Sequence, residues 1–485
     1  MVGTAERGPT MTPAHIQSLA VWENLFGPRS GGVIAHNSVR AFFAERGGNL
    51  WFLRLVGPLA ATAEADVGQL HVHASSAGTW ANDVTVAIVA EVSPLLAAAP
   101  KRKAAVKKAT KSEGVALAEG NGNGNGSDTQ AAGVPVRIVV TDGGIVVERS
   151  RQLLTVGDAL SWGQTTSIYL ELEADTATEE DPLLEAPDTP LAGGTDDPNL
   201  DPATITTTLD RFTYSMGFAQ VLYPGATDYT THAAILDHCD RMRRPALLDL
   251  NDTDETTIAA DASGLNGITG SRYACALAPR IIYPGPAAGT TTLVPYSAVQ
   301  AGIIARADGA TGNPNEAAAG ANGESLGARG IPLGFDDTTR ELLNDLGVTL
   351  PRMMRTGVLR TYGTRTVAGP LDTNWMWFPG SRTILAMAHE FDNAAEEFVH
   401  RQIDGAGRLF TRLGVALGGI CLEWFNLGAL YGDEPEDAFM VDTDSVNTDE
   451  TIANGEVHAV VRVRVSPPGE WVQIEIQKTP ITVSV

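Results

Sequence analysis

The sequence predicts a multidomain chain of α/β and α+β character. From about Asp201 to Val367 helix-patterned and strand-patterned segments alternate, the signature of a layered α/β unit on largely parallel strands. Residues 59–198 are instead β-rich around a low-complexity stretch, and the chain closes on a long helical segment followed by two strands. These shifts divide the chain into an α/β domain of 1–58 and 199–367, a β-rich insertion of 59–198 and a C-terminal α+β domain of 368–485. A length of 485 residues accommodates them, at roughly 150 residues per domain.

The opening reads as strand, helix, helix, strand. "SLAVWENLFG" starts on Ser18 and stops on Gly27, "NSVRAFFAERGG" places Asn37 as an N-cap before a Gly pair, and "NLWFLRLVG" is a buried strand. In the insertion, "NDVTVAIVAEV" and "VPVRIVVTDGGIVVERS" are β-rich, the latter a hairpin turning at "TDGG". Between them, about 98–133, "APKRKAAVKKATKSEG" and "NGNGNGSD" lack apolar periodicity and read as a flexible surface loop.

The α/β part runs through helix "DPATITTTLDRF", strand "FAQVLYPG", helix "YTTHAAILDHCDRM" and strand "PALLDL". It continues with strand "RYACALAPRIIY", helix "PYSAVQAGIIARAD" and a strand around "GVLRTYGTRTV". Near the C-terminus "VHAVVRVRV" puts Val457, Ala459, Val461, Val463 and Val465 on one face, and "WVQIEIQ" puts Val472, Ile474 and Ile476 opposite Trp471.

Charge narrows the function classes. With 58 acidic and 34 basic residues the net charge is −24, which repels nucleic acid and anionic membranes. Six Lys and Arg in the insertion's loop lack interleaved aromatics and read as a solvated tether. Cys239, Cys275 and Cys421 are too scattered for a disulfide framework or a zinc ribbon, and read as buried thiols. No leader pattern or membrane-length apolar run is present, so the reading is a chain made and folded in the cytoplasm without membrane insertion.

Motifs for chemistry fail on spacing. An EF-hand beginning at Asp442 would need a ligand at Val446 and the bidentate Glu at Ala453. His71 and His73 in "HVH" share a strand face, but the sequence identifies no third ligand, which favours surface histidines over a metal site. No P-loop, GxGxxG or GxSxG motif supports a cofactor or an activated serine. Ser271, His232, His238 and Asp237 carry no triad signature. The expectation is a protein without catalysis, cofactor or metal. Arg401, Arg408 and Arg412 do stand out in this acidic chain: they fall on one helical stripe provided Gly405 and Gly407 do not break the helix, and suit a docking surface.

Along nearly its whole length the chain resembles the tail sheath family of contractile phages and contractile injection systems. The resemblance rests on "VGTAERGP" with "WENLFG", "FFAERGGNLWFLRLVG", "SSAGTWANDVTV", "LAGGTDDPNLDPATITTTLDRF", "VLYPGATD", "RPALLDL", "VPYSAVQAGIIARAD" and "GVLRTYGTRTV", in the family's order. The C-terminal runs "GALYGDEPEDAFMVDTDSVNT" and "IANGEVHAVVRVRVSPPGEWVQIEIQ" are the most diagnostic. It implies a subtilisin-like middle domain without protease activity, in a subunit that polymerises around an inner tube and contracts to drive the tube through an envelope. The implied partners are copies of the chain, the tube protein, and baseplate and cap or terminator proteins, in a phage tail or injection particle. The Arg401, Arg408 and Arg412 stripe is then the tube-docking surface, and Trp471, Val472, Ile474 and Ile476 form the inter-subunit strand. Family members carry an arm before the "GTAERGP" segment. Here the sequence starts at Met1, so the expectation is a trimmed start or a sheath without that donor strand. The competing readings are a calcium-dependent adhesin-like module and a degenerate subtilisin-like hydrolase.

Overall fold

The computed structural model describes residues 1–27, 34–90 and 134–470. The expected loop at about 98–133 lies outside them. The chain divides into two compact units: Met1–Pro58 together with the chain from Pro198 onward, and Leu59–Asp197.

The first unit opens with β1 (Val2–Gly3), β2 (Ala14–Ile16), α1 (Leu19–Phe26), α2 (Ile34–Ala44) and β3 (Leu50–Arg54). Ser18 caps α1 by accepting from the Val21 N–H, and Gly27 ends it at φ 93°, a conformation glycine adopts without steric penalty. The second helix departs from expectation: it begins at Ile34, and Asn37 is a buried residue inside it. Ala35, Val39 and Phe42 bury in the core, and that packing carries the helix upstream of the local capping signal. Trp22 is fully buried against Phe26 and, edge-on, Phe52 at 5.5 Å.

The second unit comprises β4 (Glu64–Val67), β5 (Leu70–Ala74), β6 (Val84–Ala90), β7 (Val136–Asp142), β8 (Ile145–Arg149), α3 (Val156–Thr165), β9 (Leu170–Ala174) and β10 (Ala186–Pro190). The β7–β8 hairpin turns on Gly143 and Gly144, both at positive φ (55° and 83°), as a two-residue loop requires. Two antiparallel sheets, ordered β10-β6-β7-β8 and β4-β5-β9, bury alternate residues such as Val72, Val86, Ile138 and Leu172.

The first unit resumes with α4 (Pro202–Leu209), β11 (Val221–Leu222), α5 (Tyr229–Met242), β12 (Ala246–Asp249), α6 (Glu255–Leu265), β13 (Ala274–Leu277), β14 (Ile281–Pro284), β15 (Thr291–Val294), α7 (Tyr296–Thr311), α8 (Asp337–Asp345), β16 (Val348–Met353) and β17 (Leu359–Tyr362). Its sheet runs β11-β12-β13-β16-β17, parallel except at β17. Successive residues face opposite sides. Leu222, Leu247, Cys275 and Leu277 enter one core with α2 and α7, while Val221, Ala246, Leu248, Ala274 and Ala276 enter the other with α4, α5 and α6. A sheet buried on both faces explains why its strands read as apolar runs. The segment expected as one strand over "RYACALAPRIIY" is two, β13 and β14, because Pro279 between them has no N–H for the ladder.

The chain then forms α9 (Phe378–Glu396), α10 (Arg408–Asn426), α11 (Pro435–Ala438), β18 (Phe439–Asp442), α12 (Asp449–Ala453) and β19 (Val460–Val463). Among the described residues no helix is long and apolar enough to cross a membrane.

Candidate assembly interface

Leu409, Leu413, Leu417, Cys421 and Trp424 are the buried positions of α10, recurring every three or four residues, and this stripe faces α9. The Trp424 indole donates to Glu390 at 2.7 Å, fixing the helix pair. β19 pairs antiparallel with β18, Phe439 opposite Val463 and Asp442 opposite Val460. These two strands form a two-stranded sheet, so each presents one edge without a strand partner among the described residues. Val457, Ala459, Val461 and Val463, on the face expected from the alternation, line an apolar groove of about 420 Å³ with Met387 and Phe391 of α9 and Leu413 and Leu417 of α10.

The acidic stretch after Gly428 is more ordered than a loop. The Asp442 carboxylate accepts from the Asp444 and Ser445 N–H groups at 3.1 and 2.9 Å and from the Ser445 hydroxyl. These bonds hold its pKa below the ordinary carboxylate value. Asn447 donates to the Thr443 and His458 carbonyls and accepts from the His458 N–H, tying both ends of the turn. Thr443 donates to the Phe410 carbonyl at 3.0 Å, seating the turn on α10. Its carboxylates therefore do not converge, and among the described residues they make no cluster suited to a cation.

The arginine stripe does not form as one helix. α9 ends at Glu396, and α10 begins at Arg408 after Gly407 at φ 69°, with Asp404 accepting from the Arg408 N–H at 3.0 Å. The glycine-bearing break leaves Arg401 outside both helices, where its guanidinium donates to the Glu397 carbonyl at 3.1 Å. Arg408 and Arg412 remain one turn apart on α10, both exposed. Trp471, Val472, Ile474 and Ile476 lie outside the described residues.

Two of the residues weighed for hydrolysis have structural partners, and both ring nitrogens of a third, His238, are buried without a hydrogen bond. Asp237 pairs with Arg241 at 2.9 Å, and the buried His232 donates to the Ala226 carbonyl at 3.0 Å. His238 is fully enclosed, and burial lowers its pKa to about 4. Cys239, Cys275 and Cys421 are buried free thiols, pushed above their ordinary pKa by burial.

Comparison with protein-family models and with curated proteins yields no match. Solved structures do share the fold. The sheath tail protein of Listeria innocua superimposes with a TM-score of 0.63 at 13% identity, covering 96% of this chain and 90% of that one. The sheath tail protein of Desulfitobacterium hafniense gives 0.58 at 12% identity, over 92% of this chain and 89% of that one. A chain of the anti-feeding prophage baseplate in contracted state gives 0.59 at 15% identity, over 98% and 92%. At these identities the likeness is one of fold.

Proposed function

We propose that this chain is the sheath subunit of a contractile particle, a phage tail or an injection system, polymerising around an inner tube and contracting to drive it through a target envelope. The observation that carries the reading is the full-length fold shared with sheath tail proteins. The β18–β19 edges, which have no strand partner among the described residues and lie beside an apolar groove, suit it, because a strand from a neighbouring copy can complete such a sheet with main-chain hydrogen bonds. Head-to-tail contacts of this kind repeat without closing and build helical arrays. In this reading Trp471–Gln477 is the donated strand, Arg408 and Arg412, with Arg401 nearby, meet the tube, and baseplate and cap proteins bound the array. The mostly parallel sheet with helices on both faces supports a subtilisin-like middle layer, and in this reading the subunit acts mechanically, without catalysis. Expression with its tube and baseplate partners, followed by negative-stain microscopy, tests this. Tubular particles are expected; monomers alone under those conditions would overturn it.

A further inference from the structure

The second unit carries an arrangement to which the proposed function assigns no role. β5 is the central strand of the β4-β5-β9 sheet, and its register sets six metal-competent side chains on one face. Glu64 lies opposite His73, which lies opposite Glu171; Asp66 lies opposite His71, which lies opposite Glu173. Cross-strand partners project to the same side. The intervening residues Val67, Leu70, Val72, Leu170 and Leu172 are buried on the other face, so the register cannot slip without exposing the core.

We propose that Glu64, His71 and His73 bind a divalent transition ion of the zinc class, with Asp66 positioning His71. Glu64 Oε2 stands 3.4 Å from His73 Nδ1 and 3.7 Å from His71 Nε2, and one donor atom from each of the three residues falls within 4.8 Å of the others. A tetrahedral site with bonds near 2.1 Å has donor–donor edges of about 3.4 Å, so small torsional adjustments of these half-exposed side chains close it. The two rings are 4.4 Å apart, close enough to share an ion.

His71 Nδ1 is 2.5 Å from Asp66 Oδ1. An imidazole that donates from Nδ1 to a carboxylate presents the lone pair of Nε2 to a metal, the orientation outer carboxylates impose in zinc sites. Two imidazoles with one carboxylate favour a borderline ion over calcium or magnesium, which take oxygen ligands. Cross-strand ion pairing alone accounts less well for the face. Glu171 and Glu173 have no cationic partner among the described residues, and four carboxylates around two imidazoles leave an excess of negative charge that a dication relieves. Water fills the fourth position of an open site of this kind.

Isothermal titration of the chelator-stripped full-length chain with zinc chloride tests the site. One ion per chain with a micromolar or tighter Kd is expected, along with a rise in melting temperature that EDTA reverses. His71→Gln, His73→Gln and Glu64→Gln should each weaken binding at least tenfold, and Asp66→Asn roughly tenfold through ring orientation. Far-UV circular dichroism verifies that the variants fold. Cobalt substitution should give a visible band typical of nitrogen and oxygen ligands, lost in the His71→Gln/His73→Gln double variant. Absence of saturable zinc binding into the millimolar range, or binding undiminished in that folded double variant, would refute the site. Neither result bears on sheath assembly, which is read by microscopy.

Discussion

Glu45 and Asp249 are buried carboxylates that tie distant segments of the fold together. Glu45, fully enclosed at the end of α2, accepts from the Leu326 and Gly327 N–H groups, the Ser325 hydroxyl and the Tyr283 phenol, and pairs with Arg306 at 2.9 Å. Removing it with Glu45→Ala strands these donors and leaves Arg306 uncompensated. A loss of roughly 3–5 kcal/mol in urea-unfolding stability is expected, with Glu45→Gln losing less. Asp249, at the end of β12, accepts from the Ser297 N–H at 2.8 Å, the Ser297 hydroxyl and the Gly225 N–H at 2.9 Å. It thereby fixes the first turn of α7. Burial raises its pKa from 3.8 to about 6, against the pull of those donors. The folded chain therefore holds a proton that the unfolded chain releases, and this group's contribution falls as pH rises from about 4 to about 6. At about 1.4 kcal/mol per pKa unit the loss is at most about 3 kcal/mol. Melting of the wild type and Asp249→Asn across this window should show the wild type losing relative stability with rising pH; a constant difference would contradict the assignment.

Elements form where local signals agree with packing and move where they do not. Ser18 and Gly27 bound α1 where the sequence places them, whereas Asn37 is overridden because burying Ala35 and Val39 outweighs one cap. In the segment 255–265, Asp254 supplies the cap and Ile258, Ala262 and Leu265, four and three residues apart, bury against the sheet as α6. Gly270 shows a tighter constraint: at φ 86° an added Cβ would sit 2.3 Å from the Leu236 carbonyl oxygen. Gly270→Ala should therefore lower stability by roughly 2–4 kcal/mol in thermal or urea unfolding, more than a surface glycine exchange. For the helix pair, Arg408→Glu with Arg412→Glu should reduce co-sedimentation with tube while leaving the melting temperature within a few degrees. Arg401→Glu should do less, because Arg401 lies off the helix.

At the scale of the whole molecule, the proposal depends on a sheet that holds β18 and β19 alone among the described residues. Truncation after Glu470 removes the candidate strand but keeps Glu470 on Arg365 at 2.9 Å. The truncated chain should melt like the full-length protein yet fail to form tubes; normal tubes would reassign the linking strand. By itself the sequence determined the layered α/β character, the β-rich insertion, the Gly143–Gly144 hairpin and the valine face of β19. Each is written in local periodicity and turn chemistry that neighbouring residues suffice to express. The break before α10 is local too, set by Gly407 at φ 69° and the Asp404 cap on Arg408; only tertiary structure decided the turn made of the acidic stretch and the meeting of Glu64 with His71 and His73. Those depend on partners distant in sequence or across strands: Thr443 reaching the Phe410 carbonyl, Asn447 bridging to His458, and a strand register that no single segment encodes.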